Sequence, residues 1–320
     1  MAGTKDGVET ERETVALEVV RGSKAVLSVL IASYRNGEQL FETLKSVLDQ
    51  AYERLEVVVC DDGSEDFDED RLRTFAGNRA FKQLHHKTNM GTVRSLNEGL
   101  ALCEGEWVML LAADDALSGD HAVSALMERA GRTDKDWLVG PAQLCDGDLH
   151  PTGRTSPTSA QMELLRTRDA RTIQSCLCRE CFLPSSGTVY RIDLLRRLGG
   201  FDTRYRLVED WPLFLKLLRS GNVPELLDTP VTLHRADGVS QKAAGRNRDY
   251  QRDLIETMRN EILPYLDLLP AWERKEIETL CRDKQAIYQL RFETHGFGPR
   301  LGWFLRHLGT VSRKLLQKIR

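Results

Sequence analysis

Three acidic pairs in this chain each adjoin an apolar run. Trp107-Val108-Met109-Leu110-Leu111-Ala112-Ala113 ends in Asp114-Asp115, and Leu55-Glu56-Val57-Val58-Val59-Cys60 ends in Asp61-Asp62. Glu209-Asp210 precedes Trp211, Leu213, Phe214, Leu217 and Leu218, which are spaced as one face of a helix. Adjacent carboxylates at the end of a buried strand can hold a hard divalent cation, and the cation can hold a diphosphate. A carboxylate on a neighbouring strand end can accept hydrogen bonds from a nucleobase N–H or a ribose hydroxyl. A carboxylate at a helix head can act as a general base, and the helix dipole there favours its ionised form. The same pairs also suit turns and caps, with Asp210 as the N-cap of its helix. Two further residues have chemistry to offer. His234 ends an apolar run and can complete a metal site as a neutral imidazole. Tyr34, in Ala32-Ser33-Tyr34-Arg35-Asn36, can stack on a base, which contributes ~1–3 kcal/mol.

Such residues act together only if strands bring them to one edge, because ligands of open α/β sheets sit at the carboxyl ends of the strands. Residues 25–32 form a near-continuous apolar run, a buried strand. Leu40, Leu44, Val47 and Leu48 give 37–51 a helical spacing. Strands are expected at 55–60, 81–85 and 106–112, and helices at 66–75 and 92–103. This alternation predicts an α/β fold with a doubly wound, mostly parallel sheet and right-handed crossovers. A helix at 121–131 and a strand at 137–144 follow. Residues 146–186 are irregular and rich in Pro, Thr and Ser, with one helix near 160–165, which suits a substrate-binding region. A short strand at 187–190, helices at 192–198 and 210–220 and a strand pair within 226–234 come next. From 245 the pattern is helical, near 248–263, 270–294 and 298–319. The expected organisation is a loose tail (1–24), an α/β catalytic domain (25–244) and a C-terminal helical region (245–320).

Composition narrows the class. Apolar content of 41% and charged content of 29% are those of a soluble globular protein. A net charge of −3 gives no reason to expect nucleic acid as a partner. No run approaches the ~18 apolar residues of a membrane span. Residues 1–24 lack the apolar core of a signal peptide, so a cytoplasmic location is expected. Cys60 and Cys103 read as small core residues. Cys176, Cys178 and Cys181 lack the paired ligands of a zinc site and read as reduced thiols. Residues 299–320 carry Arg300, Arg306, Arg313, Lys314, Lys318 and Arg320, no acid, and an apolar side. Such a helix either lies peripherally on an anionic membrane, at the inner face of the plasma membrane, or docks on the domain with its basic face in solvent.

Four separated stretches resemble the family 2 glycosyltransferases, in the family's order. They are LSVLIASYRNGEQLFETLKSVLDQAYERLEVVVCDDGSED, NMGTVRSLNEGLALCEGEWVMLLAADDAL, LRRLGGFDTRYRLVEDWPLFLKLLRSG and LLDTPVTLHRADGVSQ, within residues 25–241. The resemblance implies a GT-A fold with a Rossmann-like nucleotide-binding half, and inverting transfer of a sugar from a nucleoside-diphosphate sugar. By the resemblance, Tyr34 and Asp62 contact the nucleobase, with Ser33 and Asp61 nearby. Asp114 and Asp115 form the acidic metal motif for Mn²⁺ or Mg²⁺, Asp115 as the ligand and Asp114 nearer the ribose. Asp210 is the catalytic base, with Glu209 beside it near the acceptor. His234 belongs with the loop that closes over the diphosphate, and Arg94 helps hold the donor. The donor would be a UDP- or dTDP-sugar carrying a hexose or N-acetylhexosamine. The acceptor would be a glycan or lipid-linked molecule of bacterial cell-surface assembly. One departure stands out: many members read Asp-Ala-Asp-Asp where this chain has Ala112 in place of the first acid. That substitution is the support for an alternative, a sugar-nucleotide-binding or scaffold protein without catalysis. A nucleotidyltransferase would need a Gly-rich basic loop after the first strand, which Ser33-Tyr34-Arg35-Asn36-Gly37-Glu38-Gln39 does not supply.

Overall fold

A computed structural model describes residues 27–235 and 247–295, and beyond them 300, 302–303, 306–307 and 309–310. The expected tail (1–24) and most of the basic C-terminal segment (299–320) lie outside the described residues. The first half alternates strand and helix: β1 (Leu27–Ser33), α1 (Glu38–Leu48), β2 (Leu55–Asp61), α2 (Glu69–Ala76), β3 (Ala80–His85), α3 (Thr92–Leu102) and β4 (Trp107–Ala112). The next elements are β5 (Ala116–Leu117), α4 (Ala122–Ala130), β6 (Trp137–Val139), β7 (Ala142–Cys145), β8 (Pro151–Ser156), α5 (Ser159–Arg166), α6 (Ala170–Leu177) and β9 (Thr188–Arg191). Then come α7 (Ile192–Leu198), α8 (Asp210–Arg219), β10 (Glu225–Leu226), β11 (Thr232–Arg235), α9 (Arg248–Thr257) and α10 (Ala271–Tyr288).

The main sheet has seven strands in the order β10-β6-β9-β4-β1-β2-β3. β1 runs parallel to β2 and β4, β2 to β3, and β6 to β10, while β9 is antiparallel to both its neighbours. Helices cover both faces, which is why the central strands are apolar throughout rather than alternating. Along β1, Leu27, Val29 and Ile31 pack into one core layer with Leu44 of α1, Leu72 of α2 and Leu126 of α4. Leu30 points to the other layer, with Leu96 of α3, Leu177 of α6 and Phe214 of α8. Gly99 lets α3 approach closely, because a Cβ there would overlap the Cys60 sulfur and a Leu30 methyl.

Two expectations change. The single strand expected at 137–144 breaks at Gly140-Pro141 into β6 and β7, which belong to different sheets. Proline cannot donate to a ladder, and Gly140 packs against Val231, so the chain leaves the main sheet there. The strand pair expected at 226–234 is also divided. β10 extends the main sheet, and β11 joins a second sheet in the order β5-β11-β7-β8. That small sheet lays His234 alongside the end of β4. The C-terminal helices share the core: Ile255, Ile277 and Cys281 belong to the same layer as Phe214. α9 runs on through a π-helical turn, Met258–Ile262, and a 3₁₀ segment, Leu263–Leu268. Near the end of the chain Thr310 is buried and donates to Asp283 of α10 at 2.7 Å. Among the described residues no helix is long and apolar enough to cross a membrane.

Candidate active site

The parallel strands deliver their carboxyl ends to one edge. At the end of β1, Ser33 is buried and Tyr34 is 41% exposed, with the Arg35 guanidinium over its ring at 5.1 Å from the centroid. At the end of β2 both acids turn inward. Asp61 is fully buried: it accepts from the Ser64 hydroxyl at 2.6 Å and the Ser64 N–H at 2.7 Å, and meets His85 Nδ1 at 3.0 Å. A carboxylate so occupied shapes the Gly63 turn at the strand end where the donor side is expected. Asp62 accepts from the Met90 N–H at 2.7 Å and the Gly91 N–H at 2.8 Å, and His86 Nδ1 lies 3.3 Å away. Burial pushes its carboxyl up, but hydrogen bonds from His86, Met90, Gly91 and Ser95 outweigh this and hold it below the ordinary value. Asp62 thereby fixes the loop that leads into α3. On the first turn of that helix Arg94 is exposed and has no side-chain partner among the described residues.

At the end of β4 the chain turns through Ala113, whose N–H donates to the Ala32 carbonyl at 3.0 Å. Asp115 is buried, and both its carboxylate oxygens lie 3.0 Å from His234 Nδ1. The Arg235 N–H donates to one of them at 3.2 Å, and Arg235 Nε donates to the Asp114 carbonyl at 2.7 Å. Burial, and then the charge of Asp115, raise the Asp114 carboxyl above the ordinary range. The donor set fits a hard cation: two carboxylates and an imidazole, with no side chain among the described residues hydrogen-bonded to the Asp114 carboxylate. Among the described residues, the group with three ligand atoms all within 4.8 Å of one another is instead Asp146, Asp148 and His150. It lies exposed between β7 and β8, where Asp146 accepts the Asp148 and His150 N–H groups as a turn-maker.

Glu209 and Asp210 sit at the head of α8. Glu209, not Asp210, holds the N-cap position, without a capping side-chain bond. The Ser185 hydroxyl donates to Glu209 Oε1 at 2.6 Å. Asp210 accepts from the Trp211 N–H at 2.7 Å, and the Cys181 thiol lies 3.9 Å from its other oxygen. Trp211 Nε1 donates to the Leu177 carbonyl at 2.8 Å, tying this helix head to the end of α6. The expectation that the helix dipole keeps both acids ionised is corrected. Burial, reinforced by the Asp210 charge, pushes Glu209 up to about 8, and burial raises Asp210 as well. Desolvation opposes the dipole and outweighs it, so both carboxyls hold a proton more readily than free ones do.

The two acidic centres are linked. Ser186, next to Ser185, accepts the Ala112 N–H at 3.1 Å, and the Gly187 N–H donates to the Leu110 carbonyl at 3.0 Å. The short run 185–187 thus spans from the end of β4 to the Glu209-Asp210 pair, and sets that pair and Asp114-Asp115 on the same edge. Sequence reasoning missed Ser185, Ser186 and Arg235. The serines lie in a Ser-rich stretch that reads as loop. Arg235 directly follows His234, the signal that could have pointed to it.

A mostly parallel sheet with acidic pairs at its carboxyl edge, a small second sheet bringing a histidine to one pair, and a helix head carrying the other define a GT-A glycosyltransferase. The chain belongs to glycosyl transferase family 2, whose model matches residues 28–199. The glycosyltransferase GlyG of Streptococcus pneumoniae is 26% identical over 117 residues, which are 36% of this chain and 38% of GlyG. An uncharacterized glycosyltransferase, alr2836, of a Nostoc species is 22% identical over 303 residues, covering 91% of this chain and 88% of that protein. Poly-β-1,6-N-acetyl-D-glucosamine synthase of Staphylococcus epidermidis is 35% identical over 94 residues, 29% of this chain and 23% of the synthase. Among solved structures, Staphylococcus aureus TarS 1–349 with UDP-GlcNAc superposes with a TM-score of 0.58 at 20% identity, covering 83% of this chain and 73% of that one. The mannosyltransferase PcManGT of Pyrobaculum calidifontis, with GDP-Man and Mn²⁺, gives 0.54 at 17% identity, covering 92% and 81%. At these identities the structures speak for the fold.

Proposed function

We propose that this glycosyltransferase is inverting and metal-dependent. It moves a hexosyl or N-acetylhexosaminyl group from a UDP- or dTDP-sugar to a hydroxyl of a glycan or lipid-linked acceptor, in bacterial cell-surface assembly. Tyr34 stacks on the base, and Ser33, Asp62, Arg94 and Asp114 frame the rest of the nucleotide. Asp61 supports this set from beneath, its fully buried carboxylate holding Ser64 and His85. Asp115 and His234, with Asp114, would hold Mn²⁺ or Mg²⁺, which when bound neutralises charge on the departing diphosphate. Asp210 takes the proton from the acceptor hydroxyl as its oxygen attacks the anomeric carbon from the face opposite the leaving group. One displacement inverts that centre. Glu209 keeps its proton beside Asp210 and can hydrogen-bond an acceptor oxygen. Residues 146–186 supply α6 and the Ser185 loop next to the base, and so border the acceptor. The nucleotide sugars named for TarS and PcManGT, and the polysaccharide named for the Staphylococcus epidermidis synthase, agree with this reading.

The observation that supports the reading is the hydrogen-bonded Ser185-Ser186 link, which joins the Glu209-Asp210 helix head to the strand end that carries Asp114-Asp115. The test is release of UDP or dTDP from a panel of sugar nucleotides with Mn²⁺, with and without a chelator, for the wild type and Asp210→Asn. Turnover that needs the metal and falls by ~10²–10⁴ in the variant is expected. Binding of a sugar nucleotide with no turnover under any condition would instead favour the non-catalytic alternative. Near-normal turnover in a folded Asp210→Asn would remove the base from Asp210.

A further inference from the structure

We propose that Asp253, on α9, is a positioning residue that holds Asp210 in place by gripping the three residues before the Glu209-Asp210 pair. The proposal rests on the reading of Asp210 as the base. Asp253 is 0% exposed, and a single carboxylate oxygen accepts three successive backbone N–H groups: Arg206 at 2.6 Å, Leu207 at 2.6 Å and Val208 at 3.4 Å. Its other oxygen meets Arg252 at 3.4 Å. Arg206, Leu207 and Val208 run directly into Glu209, so where they lie decides where the base lies.

The same segment is tied to the donor side. The Val93 N–H donates to the Arg206 carbonyl at 3.1 Å. The Arg206 guanidinium donates to the Asn89 carbonyl at 3.1 Å, to the Asn89 side chain and to the Met90 carbonyl at 3.5 Å, and pairs with Asp249 of α9 at 3.4 Å. Asp62 grips this loop from the other side through Met90 and Gly91. A continuous polar chain therefore leads from the strand end beside Tyr34, through Arg206, to α9 and back to the base. Tyr250, one turn before Asp253, presents its ring to the core on that side, and the charge of Asp210 adds to burial in raising its phenol. Both residues lie in the C-terminal helical region, beyond the residues matched by the family model. Displacing a reacting group by ~1 Å can cost 10²-fold in rate, so a buried acceptor that fixes the base's own loop has leverage on turnover without touching substrate.

The experiment uses the full chain. Asp253→Asn keeps the volume but turns one acceptor oxygen into an amide. Asp253→Glu keeps the charge and moves it by one methylene, and serves if the first variant does not fold. For each, kcat and donor KM for UDP release with Mn²⁺ are measured together with hydrogen–deuterium exchange of peptides spanning 203–211. Support is a fall in kcat of ~10–100-fold, donor KM within about twofold, and exchange faster at 206–208 than in the rest of the chain. Wild-type kcat in a folded variant overturns the proposal. So does a loss of activity with exchange accelerated evenly through the chain, the mark of a merely structural residue. Asp210→Asn, run in parallel, separates this failure from that of the underlying reading. If that variant turns over like the wild type, the catalytic role falls whatever Asp253 does to the loop.

Discussion

The Ser185 hydroxyl donates to Glu209 Oε1 across 2.6 Å, while its neighbour Ser186 receives the Ala112 N–H at 3.1 Å. Two adjacent side chains thus fasten the head of α8 to the end of β4. The distance between the acidic centres is set by this fastening rather than by direct contact between the acids. A hydrogen bond to a neutral carboxyl contributes ~0.5–1.5 kcal/mol, up to about a factor of ten in a rate or equilibrium. Ser185→Ala should therefore lower kcat about tenfold with little change in donor affinity, and Ser185→Thr should restore most of it. Steady-state kinetics on the two variants checks this. An unchanged kcat in Ser185→Ala would show that Glu209 is held in place without Ser185.

Glu209 should make stability depend on pH. Its carboxyl is raised from 4.5 to about 8 on folding, so between those values the folded chain holds a proton that the unfolded chain has lost. The sign follows from linkage: the contribution is intact below pH 4.5 and declines as pH rises toward 8. Glu209→Gln removes that ionisable group and its share of the decline, while Asp210, also raised by burial, keeps its own. The variant should stay close to the wild type near pH 5 and lose less stability than it on going to pH 8.5, by up to ~5 kcal/mol. Thermal melts of both proteins across that range decide the point. Equal slopes would place the carboxyl's titration outside this window.

Much of this site was legible in the sequence, for identifiable reasons. Leu27 to Ser33, Leu55 to Asp61 and Trp107 to Ala112 are almost wholly apolar and lead into polar residues at or just beyond their ends, so strand, burial and carboxyl edge can all be read together. The pairing of Asp115 with His234 was not readable from periodicity. It depends on β11 leaving the main sheet to join a small second sheet, a choice made by Gly140-Pro141 and by contacts between residues far apart in sequence. The upward push on the Glu209 and Asp210 carboxyls is not readable in the sequence, because a helix head is visible there whereas the burial around it is not. That enclosure is built by Tyr190, Cys181 and Tyr250, from three separate segments. Asp253 escaped notice because it sits on a helix that otherwise reads as polar surface.

Gly63 is the residue on which the Asp61-Asp62 turn depends. Its φ is +84°, and a Cβ there would lie 2.7 Å from the Thr88 carbonyl carbon and 2.9 Å from the Asn89 nitrogen. Neither atom can move without shifting the loop that Asp62 holds. Gly63→Ala combines a disfavoured backbone conformation with overpacking against main chain, and should cost ~2–4 kcal/mol. It should also weaken donor binding, because the strain is relieved by moving the Asn89 to Gly91 loop off Asp62. Denaturant unfolding and nucleotide titration on the same preparation test both parts. Wild-type stability would show that the loop yields freely.

Tyr34 offers the cleanest separation of binding from folding. With 41% of its surface exposed it contributes little to the core, and its hydroxyl makes no hydrogen bond among the described residues. Stacking on a base contributes ~1–3 kcal/mol, so Tyr34→Ala should weaken the UDP- or dTDP-sugar complex by about 5- to 150-fold. Tyr34→Phe keeps the ring face and should bind within about twofold, whereas a hydrogen-bonding role for the phenol would make the two variants equally weak. Unfolding midpoints should stay close to wild type in both, since surface substitutions away from caps and packed contacts usually fall within ~0.5 kcal/mol. Calorimetric titration of the nucleotide into the three proteins reads the difference. If Tyr34→Ala binds as tightly as the wild type, the aromatic ring is not the base platform, and the nucleotide must be seated from Asp62 and the loop after β3.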